Sequence, residues 1–228
     1  MPEINVVPAG DQALALEFEN RIDPEINSKV RAADYYLTRE SKLEGLLETV
    51  PTYRSLLVYY DPDVWNYVDL KEILLNIGEH LKDVAIPNPE TLEIPVLYGG
   101  EYGPDIDYVA EHNNLTIEAV IEIHHSSTYL IYMLGFVPGF PYLGGMSSKI
   151  ATPRLENPRT QIPAGSVGIA GSQTGIYPLE SPGGWRLIGR TPLKLFDPSK
   201  EDPFLPKPGH YLKFYPISEH EFESYLQV

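Results

Sequence analysis

The sequence predicts a small α+β domain of ββαββα order over residues 1–85, followed by a mostly β, barrel-like domain over residues 90–228. Three observations predict it. Before residue 85, apolar residues recur at strand spacing and then at helix spacing, and this pattern occurs twice. The segment AIPNPET then interrupts the pattern with two prolines. Beyond it, short apolar runs alternate with Gly/Pro turns, as in a sandwich or barrel.

Taken in order, Ile4 to Pro8 and Ala13 to Phe18 read as a hairpin around Ala9-Gly10-Asp11. Asp23-Pro24 supplies an N-cap and a first-turn proline, with Ile26, Val30, Ala33 and Leu37 on one helical face. Leu46 to Thr52 and Ser55 to Tyr60 read as the next strand pair. Asp69 is the expected cap of a second helix that turns Leu70, Ile73, Leu74, Ile77 and Leu81 inward. After the proline break, LEIPVLYGG reads as a strand. Asp105 to His112 and Ile117 to His125 read as short helices, the second capped by Thr116. Tyr129 to Val137 is a strand, and Leu193 to Phe196 and Tyr211 to Tyr215 are expected to close the barrel.

Composition excludes several function classes. The chain has 228 residues, no cysteine and a formal net charge of −15, so thiolate metal sites and cysteine nucleophiles are absent. The two short helices resemble a helix-turn-helix in layout. From Glu90 to Glu122, however, there are eight Asp/Glu and no Lys or Arg, which nucleic acid would repel. The start MPEINVVPAGDQ lacks a basic and an apolar region, and no apolar run is long enough to span a membrane, so a cytoplasmic location without membrane partners is expected. Nothing matches the G-x-x-x-x-G-K-[ST] phosphate loop, the H-E-x-x-H metal pattern or the G-x-S-x-G elbow. His124 and His125, at a helix end, read as structural.

Against that acidic background, Lys149 to Lys194 carries six Lys/Arg and only Glu156 and Glu180. Within it, Ile162 to Pro192 holds seven glycines and four prolines, the composition of short strands joined by tight turns. This stretch is either a barrel corner or a binding loop. Phe136, Phe140, Tyr142, Tyr177 and Trp185 lie in the two loop-rich stretches, with Arg154, Arg159, Arg186 and Arg190 near them in sequence. Together they make a candidate aromatic and arginine pocket for an anionic ligand.

The strings GFVPGFPYLGG, TPRLENPR, IPAGSVGIAGSQTGIYPLESPGGW and LIGRTPLKLFDP resemble the KipI/PxpB family, also called allophanate hydrolase subunit 1. The resemblance implies a cyclophilin-like barrel for the second domain. It also implies the B component of an ATP-dependent 5-oxoprolinase, which opens 5-oxo-L-proline to L-glutamate together with A and C subunits, the latter KipA-like. ATP enters as co-substrate of the complex, and no stably bound cofactor or metal is expected. Carried over from the family as substrate-binding positions, with their individual roles open, are His124, Arg154, Arg159, Gln173, Tyr177, Ser181, Trp185 and Arg190. The family leaves two alternatives: an inhibitor that binds a sporulation sensor histidine kinase, and the carboxyltransferase half of a urea carboxylase.

Overall fold

The computed structural model describes residues 4–41 and 43–227. The chain divides between Asn88 and Pro89 into two compact units.

In the first unit, β1 (Asn5–Pro8), β2 (Ala13–Glu17), β3 (Leu46–Pro51) and β4 (Ser55–Tyr60) form an antiparallel sheet in the order β1-β2-β4-β3. Pleat alternation puts Leu14 and Leu16 of β2 and Leu56 and Val58 of β4 on one face. Helices α1 (Pro24–Tyr35) and α2 (Tyr67–Asn76) cover that face with Ile26, Val30, Ala33, Leu70 and Leu74. The Asp23 carboxylate accepts the backbone N–H groups of Glu25 and Ile26 at 2.8 and 3.4 Å, capping α1.

The second helix departs from expectation. Asn66, not Asp69, is its cap: Asn66 Oδ1 accepts from the N–H of Val68 and of Asp69, both at 3.0 Å. Asp69 sits three residues in and accepts from Asn66 Nδ2 at 2.7 Å. Ile73 is not inward but 38% exposed. At 100° per residue it falls on the flank of the stripe that Leu70, Leu74 and Ile77 centre.

The second unit is built on a seven-stranded sheet in the order β10-β9-β12-β5-β13-β6-β7. Its strands are β5 (Thr91–Tyr98), β6 (Thr128–Leu134), β7 (Pro141–Gly144), β9 (Ser166–Ala170), β10 (Gln173–Ile176), β12 (Arg186–Arg190) and β13 (Tyr211–Pro216). Only β5 and β13 pair in parallel. Strand β10 curls back against β7, so the sheet is nearly a closed barrel, and the unit is mostly β as expected. Its interior is filled by Ile94, Val96, Ile131, Val167, Ile169, Ile188, Leu212 and Phe214, and α3 (Ile106–His112) and α4 (Ile117–Ser126) pack against it. A two-stranded ribbon, β8 (Arg159–Ile162) with β11 (Ser181–Gly183), stands beside the barrel, and α5 (Glu219–Leu226) ends the chain's regular structure.

Two strand expectations are corrected here. Strand β6 stops at Leu134, because Phe136 takes φ 63° and turns the chain out of the sheet. Leu193 to Phe196 is not a strand; only Phe196 bridges, to Phe204. Pro192 before the segment and Pro203 and Pro206 beside its partner remove the N–H donors that a ladder needs. Leu195 is nevertheless buried, and its carbonyl accepts from Leu205 N–H at 2.9 Å.

Candidate functional site

The β8–β11 ribbon and the Gly135–Phe140 loop border a cavity of about 360 Å³ in the second unit. Its lining brings together Phe136, Phe140, Tyr142, Tyr177 and Trp185 with Arg154 and the backbone of Pro182, Gly183 and Gly184. Phe140 is the centre of the aromatic set. Its ring meets those of Tyr142, Tyr177 and Trp185 at 5.4 Å in edge-to-face arrangements, and that of Phe136 at 5.7 Å. The 62% exposed Phe136 is delivered by a left-handed backbone, a conformation that costs a non-glycine residue roughly 1 kcal/mol or more.

Two glycines permit this packing. A Cβ on Gly175 would lie 2.9 Å from Phe140 Cζ and 3.1 Å from Trp185 Cζ3. A Cβ on Gly183 would collide with the Tyr177 hydroxyl, so the phenol rests directly on the peptide backbone there. Burial raises the Tyr177 pKa, while the Trp185 backbone N–H and the Arg154 and Arg159 charges pull against it. The phenol therefore keeps its proton at neutral pH.

The basic stretch is not a single site. Arg154 lies 5.8 Å over the Trp185 ring, is exposed, and has no carboxylate partner among the described residues. Arg159 grips Asp105 with both terminal nitrogens at 2.9 Å. Arg186 stacks 3.6 Å over Tyr108 and donates to the Pro153 carbonyl. Arg190 donates to the Ala164 carbonyl at 2.8 Å and faces a separate cavity of about 270 Å³ with Tyr102, Lys194 and Phe222. Lys194 pairs with Asp197 at 3.2 Å.

Of the eight positions expected from sequence, Arg154, Tyr177 and Trp185 line the groove together. Ser181 opens β11 just before the groove-lining Pro182. It is buried, and its Oγ has no hydrogen-bond partner among the described residues. Gln173 opens β10, half-buried and outside the groove lining. Arg159 and Arg190 are turned to Asp105 and Ala164.

His124 is in the core, fully buried. Tyr98 Oη lies 2.8 Å from its Nδ1, and Thr174 Oγ1 lies 2.9 Å from its Nε2. The Thr174 hydroxyl donates to the Gly168 carbonyl at 3.0 Å, so Nε2 is the donor and Nδ1 the acceptor of a neutral imidazole. His124 is thus held in the core as a neutral imidazole by side-chain hydrogen bonds, not as a cation on the helix dipole. Asp105 was not singled out from sequence; its only signal was its position at the start of α3, in the acidic stretch. Among the described residues no group of three His, Asp or Glu is arranged to hold a metal ion, and no helix is long and apolar enough to cross a membrane.

Residues 4–206, spanning both units, match the carboxyltransferase domain family, subdomain C and D. The chain belongs to this family. This carboxyltransferase-domain chain is 45% identical over 228 residues to the 5-oxoprolinase B subunit of Bacillus subtilis (strain 168), with 96% of it and 95% of the relative aligned. It is 52% identical over 211 residues to the 5-oxoprolinase B subunit of Escherichia coli O157:H7, covering 92% and 94%. Among solved structures it is similar to that of PH0987 from Pyrococcus horikoshii, at 51% identity and TM-score 0.57, covering 96% of this chain and all of that one. These relatives bear out the KipI/PxpB resemblance of the Gly/Pro strings.

Proposed function

We propose that this chain is the B subunit of an ATP-dependent 5-oxoprolinase, acting with the A and C subunits to convert 5-oxo-L-proline to L-glutamate. The observation that carries the reading is the 52% identity to a protein of that name over nearly the whole of both chains. The groove supports it chemically, because a small ring acid suits an aromatic box with one uncommitted arginine at its rim. In this reading ATP is bound by the assembled complex, consistent with the lack of a G-x-x-x-x-G-K-[ST] loop in this chain.

The test is glutamate release from 5-oxo-L-proline and ATP by the purified A and C subunits, with and without this chain. Turnover that depends on the chain is expected, as is silence from the chain alone. Equal turnover without it would overturn the proposal.

A further inference from the structure

We infer that Asp105 is a positioning residue for the groove: its carboxylate ties together the two ends of the turn over residues 183–187, the segment that carries Trp185. The kinetic part of the test rests on the oxoprolinase reading above; the restraint itself does not.

Asp105 stands at the N-cap position of α3, where an aspartate ordinarily accepts the first free N–H groups of its helix. It accepts none of them. Its oxygens go instead to Arg159, in two bonds of 2.9 Å, and to the Leu187 N–H at 2.7 Å. The Asp105 N–H completes the contact by donating to the Leu187 carbonyl at 2.9 Å. The turn before Asp105 lies directly on β12. There the Gly99 N–H donates to the Ile188 carbonyl at 3.0 Å, and a Cβ on Gly103 would collide with that same oxygen.

The other end of the restraint is the ribbon. Arg159 opens β8 and is in register with the groove-lining Gly183 of β11, so its backbone holds the groove wall while its side chain reaches Asp105. From Gly183 the chain passes through Gly184 and Trp185 and enters β12 at Arg186. One carboxylate therefore holds residues 183–187 at both ends, through Arg159 at the start and Leu187 at the finish.

This segment depends on such a tie. The ribbon forms a sheet of its own, apart from the seven-stranded one, and two adjacent glycines leave the turn without side chains to pack it. The Leu155 N–H also bonds the Gly184 carbonyl, at 2.7 Å, but it belongs to an irregular segment, whereas Asp105 is fixed to the barrel. Trp185, 5.8 Å beneath the Arg154 guanidinium, is only 7% exposed and borders the groove. Without the Arg159 arm the turn should lift, exposing the indole and displacing the groove wall, and a displacement of about 1 Å is enough to lower turnover by large factors.

Substitution separates the two arms. Asp105→Asn keeps an oxygen for the Leu187 N–H and loses the paired bonds to Arg159. Arg159→Gln removes the same arm from a side chain that is 31% exposed. Both are made in a Trp65→Phe background, which leaves Trp185 as the only tryptophan. Val120→Ala, a core truncation in α4, is the control for loss of stability alone.

Acrylamide quenching of Trp185 should rise by about twofold or more in Asp105→Asn and Arg159→Gln and stay at the parent value in the control. In the reconstituted complex each variant should lower kcat/KM for 5-oxo-L-proline by about tenfold. The double variant should be no worse than either single, because both remove one restraint.

Parent-level quenching or parent-level kcat/KM in both variants overturns the inference. So do kinetic losses that add in the double variant, and so does a control that matches the variants. Thermal melts verify folding at the assay temperature, and Arg159→Gln carries the test if Asp105→Asn does not fold. A parent complex that does not open 5-oxo-L-proline defeats the oxoprolinase reading, while quenching still decides whether Asp105 holds the turn.

Discussion

Arg159 and Asp105 form a two-pronged ion pair, Nη1 to Oδ2 and Nη2 to Oδ1, each at 2.9 Å. The same Oδ2 accepts the Leu187 N–H at 2.7 Å, while the Asp105 N–H donates to the Leu187 carbonyl at 2.9 Å. One carboxylate thus ties the ribbon strand β8 and the barrel strand β12 to the start of α3.

Arg159→Lys should therefore act on stability. Lysine cannot reproduce the fork, and the Asp105 side chain, 9% exposed, would keep one oxygen poorly satisfied. Because the Arg159 side chain is 31% exposed, solvent screening reduces the loss to about 1–2 kcal/mol. Asp105→Ala should cost more, about 2–4 kcal/mol, since it also strands the Leu187 N–H. Urea denaturation at pH 7 measures both. Wild-type stability with reduced oxoprolinase turnover in Arg159→Lys would instead put this arginine on the substrate.

Gly175→Ala should repack the aromatic box. The new methyl group would press on both Phe140 and Trp185, in a cluster whose rings are already buried against one another. Overpacking of this kind costs about 1–3 kcal/mol. The expected signs are a lowered urea midpoint and an altered tryptophan emission. An unchanged spectrum and midpoint would mean that the box is looser than its geometry.

His124 should make stability depend on pH. Burial, and secondarily the nearby His125, lower its pKa from 6.5 to about 3 in the folded chain. The unfolded chain takes up a proton near pH 6.5 while the folded chain does not. The stabilisation is therefore complete above about pH 6.5 and is lost progressively as pH falls toward 3, by roughly 1 kcal/mol per pH unit. His124→Gln should flatten this dependence relative to the parent, while costing stability at pH 7 through the Tyr98 and Thr174 hydrogen bonds. Parallel slopes for the two proteins between pH 6.5 and 4.5 would refute it.

Ser181→Ala should be neutral or stabilising by up to about 1 kcal/mol, because a buried hydroxyl without a partner is a net cost that alanine removes. A loss of more than about 1 kcal/mol in the same denaturation assay would show that the hydroxyl is satisfied in solution.

Local signals carried most of the fold. The Asp23-Pro24 start of α1, the Thr116 cap of α4 and the alternation in β2 and β4 depend on near neighbours only, and each is found where its residues predict it. The errors fall where a distant or competing group decided the outcome. Asn66 took the cap because its side chain reaches two free N–H groups three residues before Asp69 would. Phe136 ended β6 by adopting a backbone that no local rule assigns to phenylalanine.

The candidate site divides in the same way. From sequence alone came the residue types: a ring of aromatics, a surplus of arginine in an acidic chain, and glycines that let backbone and ring approach closely. Which arginine is left uncommitted was decided only in three dimensions. Asp105 is 54 positions from Arg159 in the chain, yet barrel closure and the β8–β11 ribbon bring them into a two-pronged pair. The physical reason is that a guanidinium's partner is set by which carboxylate or carbonyl the folded backbone places within about 3 Å of it. Spacing along the chain does not encode that distance, so the sequence named the residue types, and only the tertiary structure shows that Arg159 is held by Asp105 while Arg154 has no carboxylate partner among the described residues.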